Sequence, residues 1–317
     1  MTSRHLVDEE LLPFLDARPP MVLNAETLPG VRAGFSEMLA MMFADYVPPP
    51  DVEKTVRMIP GPKGAPDVRV LVYTPAGGGD ARPAYLHIHG GGYVLGDPDM
   101  GEPNHMQKAQ DLGAIVVSVD YRLAPETPFP GPVEDCYAAL KWLHANAQEL
   151  GVDPARIAIG GESAGGGLAA CLALLARDRG EVKIAHQQLI YPMIDDRPLA
   201  DPHPFTGQFI WTHDSNRFGW TSLLGHEPGR EGVSPYAAAA RAENLEKLPP
   251  TFISTGALDL FLEENLDYAR RLTRAGVPVE LHVYPGAVHG FDMAVESGLA
   301  KQHGRDQREA LAKAFRS

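Results

Sequence analysis

The sequence predicts an α/β protein with a mostly parallel, doubly wound sheet of eight strands and a helical cap, and three observations lead to this prediction. Short apolar runs alternate with helix-forming stretches along most of the chain, which is the pattern of strands joined by helices. The 317 residues, 44% of them hydrophobic, suffice for one large domain with a sizeable core. The alternation breaks between residues 195 and 235, where an insertion is expected.

Residues 1–50 are predicted to be helical and to form the first part of the cap. Phe35, Met38, Leu39 and Met42 fall on one helical face, and the run Pro48-Pro49-Pro50 ends the segment. This face either packs on the core or covers a site, and the sequence leaves both alternatives open.

The eight strands follow from short apolar runs bounded by turn residues. They are expected at 53–59, 68–73, 84–88, 114–119, 156–160, 184–191, 251–255 and 279–284. The turn-rich segment 60–64 separates the first two strands, which favours an antiparallel start. Helices are expected near 102–112, 132–149, 164–178, 262–275 and 294–315, so the later strands should be joined by crossovers and lie parallel.

The break in the alternation predicts how the chain is divided. Residues 195–235 are rich in proline, histidine and aromatic side chains, and they are too many for an ordinary loop. We expect them to complete the cap that residues 1–50 begin. Residues 51–194 and 236–317 would then form the main α/β domain.

Composition argues against several classes of function. The net charge of −13, with no local cluster of lysine or arginine to offset it, disfavours nucleic acid and stable membrane association. Cys136 and Cys171 are the only cysteines and lie in predicted helices, which disfavours a disulfide framework or a cysteine-ligated zinc. Residues 1–10 lack an apolar signal core, and no apolar stretch approaches 18 residues. We expect a cytoplasmic protein that acts on an uncharged small molecule, and homodimerisation stays open.

Ser163 has the sequence environment of a catalytic nucleophile. It is the central residue of Gly161-Glu162-Ser163-Ala164-Gly165, directly after one predicted strand and directly before a predicted helix. A strained turn of this kind lifts the hydroxyl clear of the sheet, and flanking glycines let the strand and helix backbones pass close together. A chance Gly/Ser loop is the alternative. Further motifs upstream and downstream make the catalytic interpretation the better one.

The general base is chosen from twelve histidines by position. His289 follows the last predicted strand, at the carboxyl edge of the sheet where ligands of open α/β sheets bind. The acid that orients it should follow the preceding strand, since it must hydrogen-bond the far ring nitrogen and stabilise the imidazolium. Asp259 is the first acid there, and Glu263 and Glu264 are alternatives.

The segment His89-Gly90-Gly91-Gly92 ends the predicted strand 84–88 and is the candidate oxyanion loop. Consecutive glycines let backbone N–H groups converge on one point, as a negative charge developing on a carbonyl oxygen requires. The N–H of Ala164, the residue after the nucleophile, would complete the site. A plain Gly-rich turn or a phosphate loop is the alternative, but the Gly-Lys-Ser/Thr ending of a Walker-type phosphate loop is absent. We expect His89 to shape this loop by hydrogen bonding.

Together these motifs resemble the hormone-sensitive-lipase-like family of α/β-hydrolases, the bacterial carboxylesterases of family IV. The matching segments are His89-Gly90-Gly91-Gly92, Tyr121-Arg122-Leu123-Ala124-Pro125-Glu126, Gly161-Glu162-Ser163-Ala164-Gly165-Gly166, the Asp259 region and His289-Gly290-Phe291. The resemblance implies an α/β-hydrolase fold with Ser163 as nucleophile, His289 as base and Asp259 as acid. It also implies Gly91, Gly92 and Ala164 as oxyanion donors and a cap made from the two segments described above.

The sequence departs from the commonest family pattern at Glu162, where aspartate is more usual. We expect a structural role for this carboxylate beside the nucleophile. Arg122, Glu126 and Asp135 are expected to form a buried ionic network that supports the site.

The expected function is that of a serine carboxylesterase that hydrolyses small uncharged esters with short to medium acyl chains, with no cofactor or metal. The candidate substrate-binding residues are Tyr93, Met38, Met42, Phe209 and Trp211. A lipase or an amidase on the same fold is the nearest alternative, and a receptor that has lost its chemistry is a more distant one. All three triad residues are present, which favours an enzyme.

Overall fold

The sheet has eight strands, and the two at one edge run antiparallel to their neighbours. The computed structural model describes residues 2–18, 21–77, 79, 81–198, 201 and 203–316, without the side chains of Ser36, Ala40 and Met42. The strands are β1 (Val52–Ile59), β2 (Val68–Pro75), β3 (Arg82–Ile88), β4 (Ile115–Asp120), β5 (Val152–Glu162), β6 (His186–Ile190), β7 (Thr251–Gly256) and β8 (Val279–Tyr284).

The strand order is β1-β2-β4-β3-β5-β6-β7-β8. β1 pairs antiparallel with β2, β2 pairs antiparallel with β4, and every other pairing is parallel. The predicted antiparallel start and the mostly parallel sheet are both confirmed. The carboxyl ends of β3, β5, β7 and β8 therefore share one edge, where the candidate residues follow.

Nine helices occur in the part of the chain that the structure describes, besides short 3-10 turns. They are α1 (Leu12–Asp16), α2 (Leu28–Met42), α3 (Glu102–Leu112), α4 (Gly131–Ala145), α5 (Ala147–Leu150), α6 (Ala164–Arg179), α7 (His213–Leu224), α8 (Leu262–Arg274) and α9 (Gly298–Ala314). None of these helices is long and apolar enough to cross a membrane.

Local chemistry explains where element bounds differ from those predicted. The helix predicted over 132–149 divides at Asn146, whose side-chain amide donates to the carbonyl of Trp142 and whose φ and ψ are −101° and 16°. The final helix begins at Gly298 because the Ser297 hydroxyl caps it by accepting from the Ala300 N–H at 3.1 Å. β6 ends at Ile190 because Tyr191 has a φ of +34°, which is incompatible with a continuing strand.

The core places α6 directly beneath the site. Its residues from Ala164 to Ala176 are all buried, so this helix is enclosed by the sheet and its neighbours. Cys136 and Cys171 are free, buried thiols within helices, as the sequence predicts. A second apolar cluster joins Leu11 and Phe14 of the N-terminal segment to Val288 and Phe291. The loop that carries His289 is therefore packed against the start of the chain.

The prediction that Glu126 belongs to one ionic network with Arg122 and Asp135 is wrong. Arg122 binds Asp135 through two guanidinium nitrogens, at 2.8 and 2.7 Å, and Asp135 is fully buried. Glu126 is largely exposed and pairs instead with Arg32 of α2, at 2.7 Å. This pair, together with bonds from the Arg32 guanidinium to the carbonyls of Val94 and Ala124, fastens α2 to the chain just beyond the glycine loop.

Candidate active site

Ser163 lies on a strained turn between β5 and α6. Its φ is +57° and its ψ is −120°, a backbone conformation that side-chain-bearing residues rarely adopt. Three backbone hydrogen bonds hold it there. The Ser163 N–H donates to the Ile190 carbonyl at 2.9 Å, and the Ser163 carbonyl accepts from Gly167 at 2.9 Å and from Met193 at 3.0 Å. The turn is thus fixed to the end of β6 as well as to its own helix.

Gly161 and Gly165 allow this turn to pass close to the end of β3. A Cβ atom on either residue would overlap the carbonyl oxygen of Ile88. A Cβ atom on Gly90 would likewise press against the carbonyl of Glu162. The glycines therefore bring the nucleophile turn and the glycine loop together, as the motifs predict.

His289 connects Ser163 to Asp259. Its Nε2 lies 2.9 Å from Ser163 Oγ, and its Nδ1 lies 2.8 Å from Asp259 Oδ2. All three residues are buried, and Asp259 is completely so. Its other carboxylate oxygen accepts from the Phe261 N–H at 2.9 Å, which fixes the carboxylate plane. With Nδ1–H donating to Asp259, Nε2 is free to accept the serine proton.

The alternative acid Glu264 has different partners. Its carboxylate accepts from the Ile194 N–H at 2.8 Å and from the Asp195 N–H at 3.3 Å. Burial raises the pKa of this carboxyl well above its ordinary value. Glu264 therefore braces the chain after β6, and the hydrogen bond from His289 Nδ1 goes to Asp259.

The glycine loop presents unpaired donors beside Ser163. Gly91 and Gly92 have φ values of +117° and +59°, which glycine accommodates without steric penalty. The backbone N–H groups of Gly91, Gly92 and Ala164 donate to no residue that the structure describes. Three donors of this kind at one edge form a site suited to an oxyanion.

His89 holds the glycine loop in shape, as predicted. Its Nδ1–H donates to the Gly90 carbonyl at 2.8 Å, and its ring stacks on that of Tyr121 at a centroid distance of 4.2 Å. The Tyr121 hydroxyl in turn donates to the His89 carbonyl at 2.8 Å. Burial lowers the pKa of His89 to about 4, so the ring is neutral at pH 7 and acts as a fixed donor.

Trp211 is the predicted substrate-binding residue whose contacts place it over this loop. Its ring occupies the space that a Cβ atom on Gly92 would need, and its ring centroid lies 6.4 Å from that of His289. Phe209 is half-buried and packs against the second apolar cluster. Met38 is 38% exposed on α2, and the Met42 side chain lies outside the described part of the structure.

The structure gives the side chain of Tyr93 a different role from the predicted substrate contact. It is fully buried, its hydroxyl donates to the Met193 carbonyl at 2.7 Å, and its ring packs against Trp220. The Tyr93 carbonyl accepts from the Ala124 N–H at 2.9 Å. Tyr93 therefore anchors the glycine loop to its surroundings, because its hydroxyl and its carbonyl are both hydrogen-bonded within the protein.

Glu162 forms a partly buried ion pair below the nucleophile, which agrees with its predicted structural role. His87 Nε2 donates to Glu162 Oε2 at 2.8 Å, while His87 Nδ1 lies 3.1 Å from Ser118 Oγ. The Ser118 hydroxyl donates to the Pro98 carbonyl, so its oxygen can accept from the His87 ring. Burial alone would raise the pKa of Glu162, but the His87 charge and hydrogen bond, with the Lys108 charge, lower it to about 2.

Tyr191 and Asp292 support His289 from the other side, and the sequence analysis did not find them. The Tyr191 ring meets the His289 ring edge-on at a centroid distance of 4.7 Å, and its hydroxyl donates to Asp292 Oδ1 at 2.6 Å. The one signal in the sequence is their position: Tyr191 ends the predicted strand 184–191, and Asp292 lies three residues after His289.

No group of three or more His, Cys, Asp or Glu side chains in the described ranges is arranged to hold a metal ion. The arrangement that is present can transfer a proton from a serine hydroxyl to a histidine and stabilise a developing oxyanion.

Comparisons with known proteins agree with this chemistry. The sequence matches a family described as alpha/beta hydrolase fold over residues 85–293. Carboxylesterase NlhH of Mycobacterium tuberculosis is 35% identical over 304 residues, which cover 91% of this chain and 90% of NlhH. Esterase LipI of the same organism is 35% identical over 297 residues, which cover 90% of this chain and 88% of LipI.

Solved structures of esterases superpose closely on this chain. A structure titled Bacterial Heroin Esterase has a TM-score of 0.95 and 40% identity, with 100% of both chains covered. A hyperthermophilic esterase from the archaeon Pyrobaculum calidifontis has a TM-score of 0.84 and 33% identity, with 97% of this chain and 98% of that chain covered.

The ion pair of Glu162 predicts a pH-dependent loss of stability. Its lowered pKa contributes stability above the ordinary value of 4.5, and that stability is lost as the pH falls from 4.5 toward 2. Glu162→Gln should therefore destabilise the protein more at pH 6 than at pH 3, by about 1–2 kcal/mol in the free energy of unfolding. Urea denaturation of both proteins at the two pH values measures this difference.

The matched control is Glu149→Gln, which removes a largely exposed carboxylate and should change the free energy of unfolding by less than about 0.5 kcal/mol at both pH values. An equal destabilisation by Glu162→Gln at pH 6 and pH 3 would contradict the ion pair.

Proposed function

This chain belongs to the hormone-sensitive-lipase-like group of the α/β-hydrolase family and is a carboxylic ester hydrolase, and from that premise we propose that Ser163, His289 and Asp259 hydrolyse small uncharged esters with short to medium acyl chains. The observation that carries the proposal is the unbroken chain of hydrogen bonds among these side chains, 2.9 Å from serine to histidine and 2.8 Å from histidine to aspartate.

In the first half of the reaction, His289 Nε2 takes the proton of the Ser163 hydroxyl while Oγ bonds to the ester carbonyl carbon. The carbonyl oxygen becomes an oxyanion and accepts from the N–H groups of Gly91, Gly92 and Ala164. Because these donors are fixed and unpaired beforehand, little reorganisation is needed when the charge develops. Asp259 keeps the imidazole in the tautomer that can accept a proton and stabilises the imidazolium.

The tetrahedral intermediate then collapses. His289 returns its proton to the alkoxide oxygen as the C–O bond breaks, so the alcohol leaves and an acyl group stays on Ser163. In the second half, His289 takes a proton from water, the hydroxide attacks the acyl carbon, and the proton returns to Ser163 Oγ as the carboxylic acid departs.

The same geometry favours an enzyme over a receptor. A receptor has no need of an aligned proton relay next to unpaired N–H donors. Lipases and amidases use the same relay, so substrate size and type distinguish them. The cytoplasmic location, the absence of nucleic-acid partners and the question of a homodimer stay predictions from the sequence.

We infer that residues 1–50 and 195–235 act as a cap that limits the acyl chain. Two contacts support this. Trp211, in the second segment, packs on Gly92 of the candidate oxyanion loop. Arg32, in the first, binds the Val94 carbonyl just beyond that loop at 2.9 Å. Both segments are thus attached next to Ser163, and Trp211 is the large apolar side chain best situated to end an acyl slot.

The role of the triad is tested by substitution. Ser163→Ala should fold normally and lack activity, and Asp259→Asn should lower kcat about 10⁴-fold because the histidine adopts the wrong tautomer. Glu263→Gln is the matched control, since it removes a neighbouring carboxylate on the first turn of α8, and it should change kcat less than about fivefold. Steady-state kinetics on p-nitrophenyl butanoate measure these effects. Residual activity of Ser163→Ala, or a severe loss in Glu263→Gln with a mild one in Asp259→Asn, would contradict the assignment.

The dependence of kcat/KM on the acyl length of the substrate tests the proposed role of the cap. Each buried methylene contributes about 0.8 kcal/mol, so kcat/KM for p-nitrophenyl esters should rise about fourfold per methylene from acetyl toward butanoyl or hexanoyl and then fall. Trp211→Ala should shift the optimum to longer chains, and Met38→Ala should do so if α2 also contributes to the wall.

Trp142→Ala is the control for Trp211→Ala, since Trp142 lies on α4 and packs against the core. It should leave the optimal acyl length unchanged. A rate that still rises at dodecanoyl esters, or an optimal acyl length that Trp211→Ala does not change, would contradict the proposal that the cap limits the acyl chain.

A further inference from the structure

A cavity of about 380 Å³ separates α3 from α9, and it is lined by residues that the proposed mechanism does not use. It lies on the face of the sheet that these two helices cover. The ionisable groups among the lining residues are Lys108, Asp292, Lys301, His303, Arg305 and Arg308. Its volume is within the range of small-molecule sites.

Lys108 is the unusual residue of this cavity. Only 7% of it is exposed, and its ammonium group makes no hydrogen bond or ion pair with any residue in the described ranges. Its ammonium nitrogen lies 5.8 Å from the centroid of the Tyr85 ring, close to the outer limit for a cation–π contact. Burial lowers the pKa of Lys108, because the loss of hydration by its ammonium group outweighs the attraction of the Glu162 and Asp292 charges.

The charge of the lining is opposite to that of the whole protein. Four lysine and arginine side chains line the cavity against one carboxylate, in a chain whose net charge is −13. Asp292, that carboxylate, already accepts from the Tyr191 hydroxyl. Two of the cations have acidic neighbours: Lys301 binds Glu296 at 3.1 Å, and Arg308 lies 3.6 Å from Asp111. Lys108, the most deeply buried cation, is attracted by the charges of Glu162 and Asp292 but forms no ion pair with either of them.

We propose that this cavity binds a small oxyanion, a carboxylate or a phosphate, and that Lys108 is the cation at its base. An anionic oxygen would supply the hydrogen-bond partner that the buried ammonium lacks, and a hydrogen bond between two charged groups is stronger than one between neutral groups. The cations on α9 would add long-range attraction at the mouth of the cavity. This site is separate from Ser163, so it does not depend on the proposed catalytic roles.

Isothermal titration calorimetry tests the proposal. Sodium phosphate and sodium butanoate are titrated separately into the full chain at pH 7, with sodium chloride at equal ionic strength as the blank. Saturable binding of either ligand is expected, and the tighter of the two identifies the oxyanion class. Lys108→Met should raise the dissociation constant about tenfold or more, as expected for the loss of a hydrogen bond between charged groups.

Lys301→Met is the matched control, since it removes a lysine that already has a carboxylate partner. It should raise the dissociation constant less than about threefold. Heat no larger than that of the chloride blank for both ligands would overturn the proposal. So would an equal affinity of the wild-type protein and Lys108→Met, because binding would then occur elsewhere.

A measurement on the wild-type protein covers the case in which Lys108→Met does not fold. Reductive methylation with formaldehyde and cyanoborohydride, followed by peptide mass spectrometry, reports the accessibility of each lysine. The better-bound oxyanion should slow methylation of Lys108 at least threefold relative to the exposed Lys63. Equal rates for Lys108 with and without the ligand would contradict occupancy of this cavity.

Discussion

The strained turn at Ser163 is the constraint on which the rest of the site depends. A residue in this conformation is unfavourable by about 1–3 kcal/mol, and it persists only where the surrounding structure fixes it. Here the Ser163 backbone is hydrogen-bonded to Ile190, Gly167 and Met193. Because Gly161 and Gly165 have no side chain, the turn also approaches Ile88 at the end of β3, directly before the glycine loop. One local distortion thus brings the nucleophile and the candidate oxyanion donors to the same edge of the sheet.

A layer of polar contacts below that edge holds the reacting groups in position. His87 and Glu162 pair across neighbouring strands beneath Ser163, and Tyr191 packs against His289 while its hydroxyl is held by Asp292. Both contacts fix the orientation of a group next to the chemistry without taking part in proton transfer. The cavity between α3 and α9, which we propose binds a small oxyanion, borders the same layer, since Asp292 belongs to the layer and also lines the cavity.

The fold and the grouping of the candidate site could be predicted from the sequence for one physical reason. Ser163, Asp259 and His289 each follow a strand of a parallel sheet, and the carboxyl ends of parallel strands share an edge, so short local motifs determine a long-range arrangement. The residues that the sequence missed depend on contacts without a local pattern. Tyr191 and Asp292 are 101 positions apart. Glu126 was assigned to the wrong partner because Arg32, 94 positions away, is brought to it only by the packing of α2.

The central claim is that Ser163 attacks an ester carbonyl whose oxygen is received by the N–H groups of Gly91, Gly92 and Ala164. The most direct test is a crystal structure of the protein after reaction with p-nitrophenyl butylphosphonate, whose tetrahedral phosphorus imitates the intermediate. We expect phosphorus bonded to Ser163 Oγ and a phosphonyl oxygen about 2.7–3.1 Å from the three nitrogens. Phosphorus on another residue, or a phosphonyl oxygen turned away from the glycine loop, would contradict the account.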